Sequence, residues 1–416
     1  MTPGTRLGFE VIDRGITHDA SGSRTIALTC FPAITGAVSS PTPVGSGDGD
    51  IALYVRALDI GSPRQACFFR FSTMQNYHLF DDPHVTPFAV GMNGRCVYHV
   101  TYDGVNASND AGTNDYIISD VKTDAHNSVV NDSSRIILNR ISFDDFSVTT
   151  TPCPLPPGHA LTDNGACNDG SAFYFFTIKD GVYYLCGAPT DGIIELCGNA
   201  AVITETRGTQ INDNAAPHSN AAVLTEISGT PTSVATTQQG VYFTAMDNVP
   251  CGLNLFDREH NISFLYFYSF ATKLTTHVQS PLLYGKLAYA DGVLAVPLLS
   301  GGLYFPFSAS TLSNDCVVEH VSLSSDGKYF VFTTPGNDVI YAGSVATSRV
   351  RALNHNKNTR GSGWFNRPSC AFTGDSRWVI YGSNYTGVPQ AYAAYVPDNF
   401  LSSLDNPGGS SDRYGA

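Results

Sequence analysis

Two stretches about fifty residues apart say nearly the same thing, and no other feature narrows the fold so far. LSSDGKYFVFTTPGNDVIYAGSV at 323–345 and FTGDSRWVIYGSNYTGVPQAYAAYV at 372–396 each lead a Ser/Thr-rich approach into a turn, Asp326-Gly327 in one and Asp375-Ser376 in the other. An aromatic and β-branched run follows, then a polar turn and a second such run, which reads as strand, tight turn, strand, turn, strand. With 39 Gly, 23 Pro, 11% aromatic and only 14% charged residues, the whole chain favours many short strands joined by turns. No window keeps apolar residues at helical spacing for three turns, so the fold class is all-β.

A repeat of roughly 40 to 50 residues holding about four strands is the sequence signature of a β-propeller blade. Blade-like runs fall at 38–75, 84–135, 158–200, 220–278, 280–317, 319–353 and 365–398. That predicts a seven-bladed propeller forming a single domain over 1–416. The last blade shows three strands and the run ASGSRTIALTCF at 20–31 belongs to none, so this N-terminal strand is expected to join the last blade and close the ring. A two-sheet sandwich of this length would need two domains, and a solenoid would repeat at a shorter period.

Ten cysteines stand without the CxxC spacing of a zinc site. Four Asn-x-Ser/Thr sequons (Asn106, Asn131, Asn261, Asn384), six lysines against seventeen arginines and a net charge of −13 lead to the expectation of a secreted, extracellular protein from a eukaryote such as a fungus, with some disulfides. Cys186 and Cys197 flank a single turn and are the expected pair; buried free thiols are the alternative for half the set. The opening MTPGTRLGFE has no apolar stretch, so a leader is absent from this sequence. No run approaches the roughly 18 apolar residues of a membrane span, and the acidic balance without a basic, aromatic-studded patch argues against nucleic acid. The expected partner is a glycan, an acidic polysaccharide or uronate-containing oligosaccharide, bound by a monomer.

The segment GSGWFNRPSCAFTGDSRWVIYGSNYTGVPQAYAAYVP resembles the terminal blade of TolB-like propellers, and ASGSRTIALT is similar to the opening of seven-bladed polysaccharide lyases. That group includes oligogalacturonate lyase, the propeller ulvan lyases and a fungal lyase that removes rhamnose from glucuronate. The resemblance covers about the last 40 and the first 30 residues and implies β-elimination at a uronic acid. Such a reaction must neutralise the carboxylate, remove the C5 proton and protonate the leaving oxygen, work for Arg, His and Tyr or for a bound metal.

The ulvan lyase pattern implies two histidines about twenty residues apart in an early blade, and His78 and His99 match it, with His84 competing for either role. The bland reading makes both ordinary hydrogen-bonded residues. Tyr184 is the candidate acid among Tyr183, Tyr184 and Tyr242, most of which pack as core. Arg207, in the polar connection ITETRGTQIND, is the candidate carboxylate clamp, since only Arg holds a carboxylate bidentately while fully charged. Tyr242, Arg258, Arg360 and Arg367 are candidate substrate contacts, Arg258 because its interval from Tyr242 repeats one seen in the ulvan lyases. At Arg367 the chain departs from oligogalacturonate lyase: Arg-Pro stands where that family has His-Pro, and only His355 remains nearby. Neutralisation by arginine with no catalytic cofactor is therefore expected, and a structural calcium is left open.

There is no GxSxG elbow, HExxH or P-loop. Asp81-Asp82 and Asp144-Asp145 are adjacent, and neighbours on a strand point to opposite faces, so they make no glycosidase pair. FNRPSCAF is similar to a sialic-acid site sequence of viral attachment propellers but falls in a different blade. A non-catalytic glycan-binding propeller, distinguished by whether His78 and His99 converge, and another secreted propeller enzyme such as a glycosidase or lactonase stay open as alternatives. The uronic acid, the linkage and the endo or exo mode are not legible.

Overall fold

A computed structural model describes residues 1–18, 20–29, 34–37, 49–57, 64–82, 88–90, 95–102, 135–155, 159–168, 172–190, 222–227, 230–246, 262–284, 287–298, 300–308, 310–312, 318, 320–334, 339–355, 369–384 and 388–406. The described strands form seven antiparallel sheets arranged as a seven-bladed β-propeller.

Three strands precede the first blade: β1 (Arg6–Leu7), β2 (Ile12–His18) and β3 (Ser23–Ala27). Blade 1 is β4 (Ile34–Ala37), β5 (Ile51–Ala57), β6 (Arg64–Arg70) and β7 (Gln75–Asp82), and blade 2 is β8 (Phe88–Val90), β9 (Cys96–Tyr102), β10 (Arg135–Ser142) and β11 (Val148–Pro154). Blade 3 is β12 (Ala160–Asn168), β13 (Ala172–Lys179), β14 (Val182–Pro189) and β15 (Ala222–Ile227), and blade 4 is β16 (Thr230–Thr236), β17 (Gly240–Met246), β18 (Ile262–Ser269) and β19 (Thr275–Tyr284). Blade 5 is β20 (Ala288–Ala290), β21 (Val293–Pro297), β22 (Leu303–Phe305) and β23 (Ser310–Leu312), and blade 6 is β24 (His320–Leu323), β25 (Tyr329–Thr333), β26 (Val339–Ser344) and β27 (Val350–His355). Blade 7 has only β28 (Cys370–Phe372), β29 (Trp378–Ser383) and β30 (Gln390–Tyr395) from its own end of the chain.

The count of seven stands, but the boundaries move. β4 precedes the expected start of blade 1 at 38, β10 and β11 run past the expected end of blade 2 at 135, and β15, expected to open blade 4, is the outer strand of blade 3. Closure is as expected: β3 pairs with β30 (Ile26 opposite Ala393) and supplies the fourth strand of blade 7. Two further strands had no signal. β2 adds a fifth strand outside β3, and β1 lies along β7, so the N-terminal segment bridges the outer edges of blades 7 and 1. The chain also holds one short helix, α1 (Phe400–Asp405), which buries Phe400 and Leu404 against the wall between blades 6 and 7. Asp405 receives hydrogen bonds from Tyr329 Oη (2.6 Å) and Ser344 Oγ (2.7 Å) of blade 6.

Each blade is apolar on both faces because each face meets a neighbour, and among the described residues seven apolar clusters fill the seven walls. β13 shows the consequence: AFYFFT is buried over six consecutive positions rather than alternating.

The repeated stretches of blades 6 and 7 fold alike. Ser324 Oγ donates to Asp326 Oδ1 (2.7 Å) and accepts from Tyr329 N (2.9 Å), while Lys328 N donates to the same carboxylate (3.2 Å). Thr373, Asp375, Arg377 and Trp378 repeat this at 2.8, 3.0 and 3.1 Å. Gly327 has φ 67° and Ser376 takes the same left-handed role at 59°. Neighbouring turns touch: Ser325 Oγ donates to Gly374 O (2.8 Å), and a Cβ on Gly49 would meet the Asp375 carboxylate at 1.9 Å, so only glycine lets blade 1 approach that turn.

Candidate active site

Strands alternate in direction within each blade, and links between blades are as short as 228–229. The end of each outer strand and the start of the next inner strand therefore share one face of the ring. The ends of β9, β13, β17 and β25 lie at this face as well. The turns at 325–327 and 374–376 lie at the opposite face.

Neither histidine of the expected pair reaches an open surface, and the two do not converge. His78 belongs to the outer strand of blade 1, not to the entrance of blade 2. It sits opposite Cys67, on the side of the blade that packs against blade 7, and is fully buried. Neither ring nitrogen has a hydrogen bond; Asp81 Oδ1 lies 3.8 Å from Nε2, and burial holds the pKa below its ordinary value. His99 lies on β9 in the other wall, between blades 1 and 2, stacked on Phe80 with ring centres 3.8 Å apart and planes at 13°. The sheet of blade 1 separates the two.

Tyr184 stands elsewhere, and it brings in a histidine that sequence reasoning missed. It lies on β14, three residues beyond the tight Asp180-Gly181 turn, half-buried, directly opposite Thr177. Its ring packs on His159 at 4.7 Å, tilted by 55°. His159 occupies the link into blade 3, one residue before β12, and is 6% exposed. Its Nδ1 is 2.9 Å from Thr177 Oγ1, which in turn lies 3.2 Å from Cys186 Sγ. Burial, with the nearby Lys179 charge, lowers the His159 pKa to about 4, against a weaker upward pull from Asp180. The imidazole is therefore neutral at ordinary pH. When Nδ1–H donates to Thr177 Oγ1 and the Thr177 hydroxyl donates its own hydrogen bond toward Cys186 Sγ, Nε2 keeps its lone pair and has the form of a general base. The signal in CPLPPGHALTD was positional: a proline-rich link, then a His at a blade entrance.

The other candidates scatter. Tyr242 is near the start of β17, at the opposite face, packed on Phe267 (4.5 Å) and Phe307 (5.3 Å), with its pKa raised by burial and by Tyr289. Arg207, His84, Arg258, Arg360 and Arg367 lie outside the described residues, as do Cys197 and the sequons Asn106, Asn131 and Asn261. The described strands still bracket them. β14 ends and β15 begins at the face opposite His159. The strands on either side of His84, Arg258, Arg360 and Arg367 end at the His159 face. Cys67 and Cys370 are buried thiols, and burial pushes the Cys67 thiol up to about 12. Asn384 is half-buried at the end of β29.

No family model matches the chain, and no curated protein matches it. Solved structures do. Two oligogalacturonate lyases share its fold. One, solved in complex with manganese, superposes with a TM-score of 0.61 at 11% identity, covering 98% of this chain and all of its own. The other, from Vibrio parahaemolyticus, gives 0.58 at 12% identity over 95% and 99%. At such identity the likeness speaks for the propeller alone. Among the described residues no three His, Cys, Asp or Glu side chains come together as metal ligands. They offer a manganese ion no donor set, and His355 is the last described residue before the segment of Arg367.

Proposed function

We propose that this protein is a secreted carbohydrate lyase that cleaves a glycosidic bond to a uronic acid by β-elimination. The fold shared with oligogalacturonate lyases supports the class, and the observation that carries the reading is the His159–Tyr184 pair at a blade entrance, with Thr177 fixing the imidazole. His159 Nε2 takes the C5 proton, and the C5–H electrons form the new double bond as the C4–O bond breaks. Tyr184 Oη protonates the departing oxygen. Arginine neutralises the carboxylate so that the C5 proton becomes acidic; Arg258, Arg360 and Arg367 fit this role better than Arg207, because their flanking strands end at the His159 face. The substrate is an acidic polysaccharide such as a glucuronate-bearing side chain, bound by a monomeric single domain.

The test is to incubate the protein with gum arabic, ulvan and pectate and follow the ultraviolet absorbance of the unsaturated uronate. A rise on one substrate, lost in His159→Ala and retained in His99→Ala, is the expected result. The separation of His78 and His99 favours a second reading, a glycan-binding propeller without catalysis. Saturable binding with no absorbance change on any of the three would establish that reading and overturn the lyase.

A further inference from the structure

Among the described residues, the wall between blades 7 and 1 holds a buried cation with no carboxylate paired to it. Arg56, on β5, is 6% exposed, and no carboxylate pairs with it among the described residues. Its Nε is buried without a hydrogen bond, its Nη2 lies 3.9 Å from the Met1 sulfur, and its guanidinium meets the Cys67 thiol and lies over the Phe9 ring at 5.3 Å. Around it the blade presents a row of polar side chains on one side of the sheet. Tyr54, Cys67 and His78 lie directly opposite one another across β5, β6 and β7. Tyr54 is satisfied, donating to Asn76 Oδ1 at 2.9 Å. His78 is not: it is fully buried and both its nitrogens lack hydrogen bonds. The nearest acid, Asp81, is 44% exposed and accepts from Gln65 Nε2 at 2.5 Å and from the Met1 nitrogen at 3.1 Å, with its Oδ1 3.8 Å from His78 Nε2, beyond hydrogen-bond distance.

An arginine cannot shed its proton to escape burial. A desolvated guanidinium without an anion is strongly unfavourable, and buried polar atoms are rarely left unmet. We propose that Arg56 and His78, with the Cys67 thiol beside them, form a buried site for one small monovalent anion of halide size. The donors are Arg56 Nε–H and one His78 N–H; the Cys67 S–H is turned to Gln65 O (3.8 Å), which leaves its polarisable sulfur beside the ion. One positive charge sets the valence. The covering segment from Met1 to Val11, whose backbone bonds to both sides of His78 (Gly4 N to His78 O, 2.9 Å; His78 N to Thr5 O, 2.8 Å), rules out a sugar chain as occupant. This site is separate from the His159 face, so its failure would leave the lyase reading untouched.

Crystals of the wild-type protein grown with sodium bromide test it directly. The expected result is an anomalous bromide peak in hydrogen-bond contact with Arg56 Nε. A map with no peak there, or peaks only at surface side chains, means an adventitious ion only and overturns the proposal. In solution at constant ionic strength, replacing gluconate by chloride should raise Tm saturably by about 2–4 °C, with no rise in Arg56→Met. An equal rise in that variant would make the effect a general one of salt and would also overturn the site. If Arg56→Met fails to fold, the bromide map alone decides.

Discussion

Blades 6 and 7 and the entrance of blade 3 use the same side-chain types for opposite ends. In the paired turns of blades 6 and 7 Ser324 and Thr373 are consumed locally, each hydroxyl tied to its own turn's aspartate and to a backbone amide. At blade 3, Thr177 bonds instead to a histidine of the entering link and a cysteine of the next strand, and leaves one imidazole nitrogen without a hydrogen bond. A closed network can only hold shape, whereas a chain of donors ending in a free lone pair can also move a proton. Local satisfaction marks scaffold, and a relay with an open end marks chemistry.

The sharpest way to break this contrast is His159→Ala. Activity on the eliminable substrate should fall about 10²–10⁴-fold while the Tm stays within a few degrees; equal loss of both would put His159 with the scaffold. Phe372→Ala, in the core between blades 6 and 7, should do the reverse, lowering stability by about 3–5 kcal/mol in denaturant titration with kcat unchanged in the folded fraction. The pH dependence comes next. The folded pKa of His159, at about 4, lies below the ordinary 6.5, so the unfolded chain binds more protons between those values and stability should fall as pH drops from about 6.5 to about 4. His159→Gln should flatten part of that slope, and His78, lowered by its own burial, should account for more of it. The smallest effect is that of Ser324→Ala, about 1 kcal/mol by thermal melt, with no change in activity.

The blades were legible because their turns advertise themselves: Asp326-Gly327 and Asp375-Ser376 occupy the expected left-handed turns, and the orphan run at 20–31 supplied the closing strand. Blade boundaries were not, since a strand such as β15 carries no sign of which neighbour it pairs with. α1 escaped notice because six residues cannot establish a helical repeat, and its stability comes from Phe400 and Leu404 docking on blade 6. The site was legible only in part. Tyr184 stood out as one strand tyrosine among several, but the spacing of His78 and His99 pointed to two side chains that the sheet of blade 1 keeps apart. Sequence distance does not reveal which wall a strand residue faces once a bulge intervenes, as it does between Ala66 and Cys67. His159 carried no spacing to anything, because its partners are contributed by β13 and β14 through pairing alone.

The antiparallel ladder between β3 and β30 also sets a timetable for synthesis. Residues 23–27 are made early, and their partners at 392–394 come almost last, whereas β1 finds β7 as soon as blade 1 exists. One part of the same N-terminal segment can dock during translation while the other must wait with an open strand edge for nearly the whole chain. Strand β3, whose edge ends paired to β30, thus passes its nascent life with that edge open, and a message truncated before residue 390 would leave it open for good.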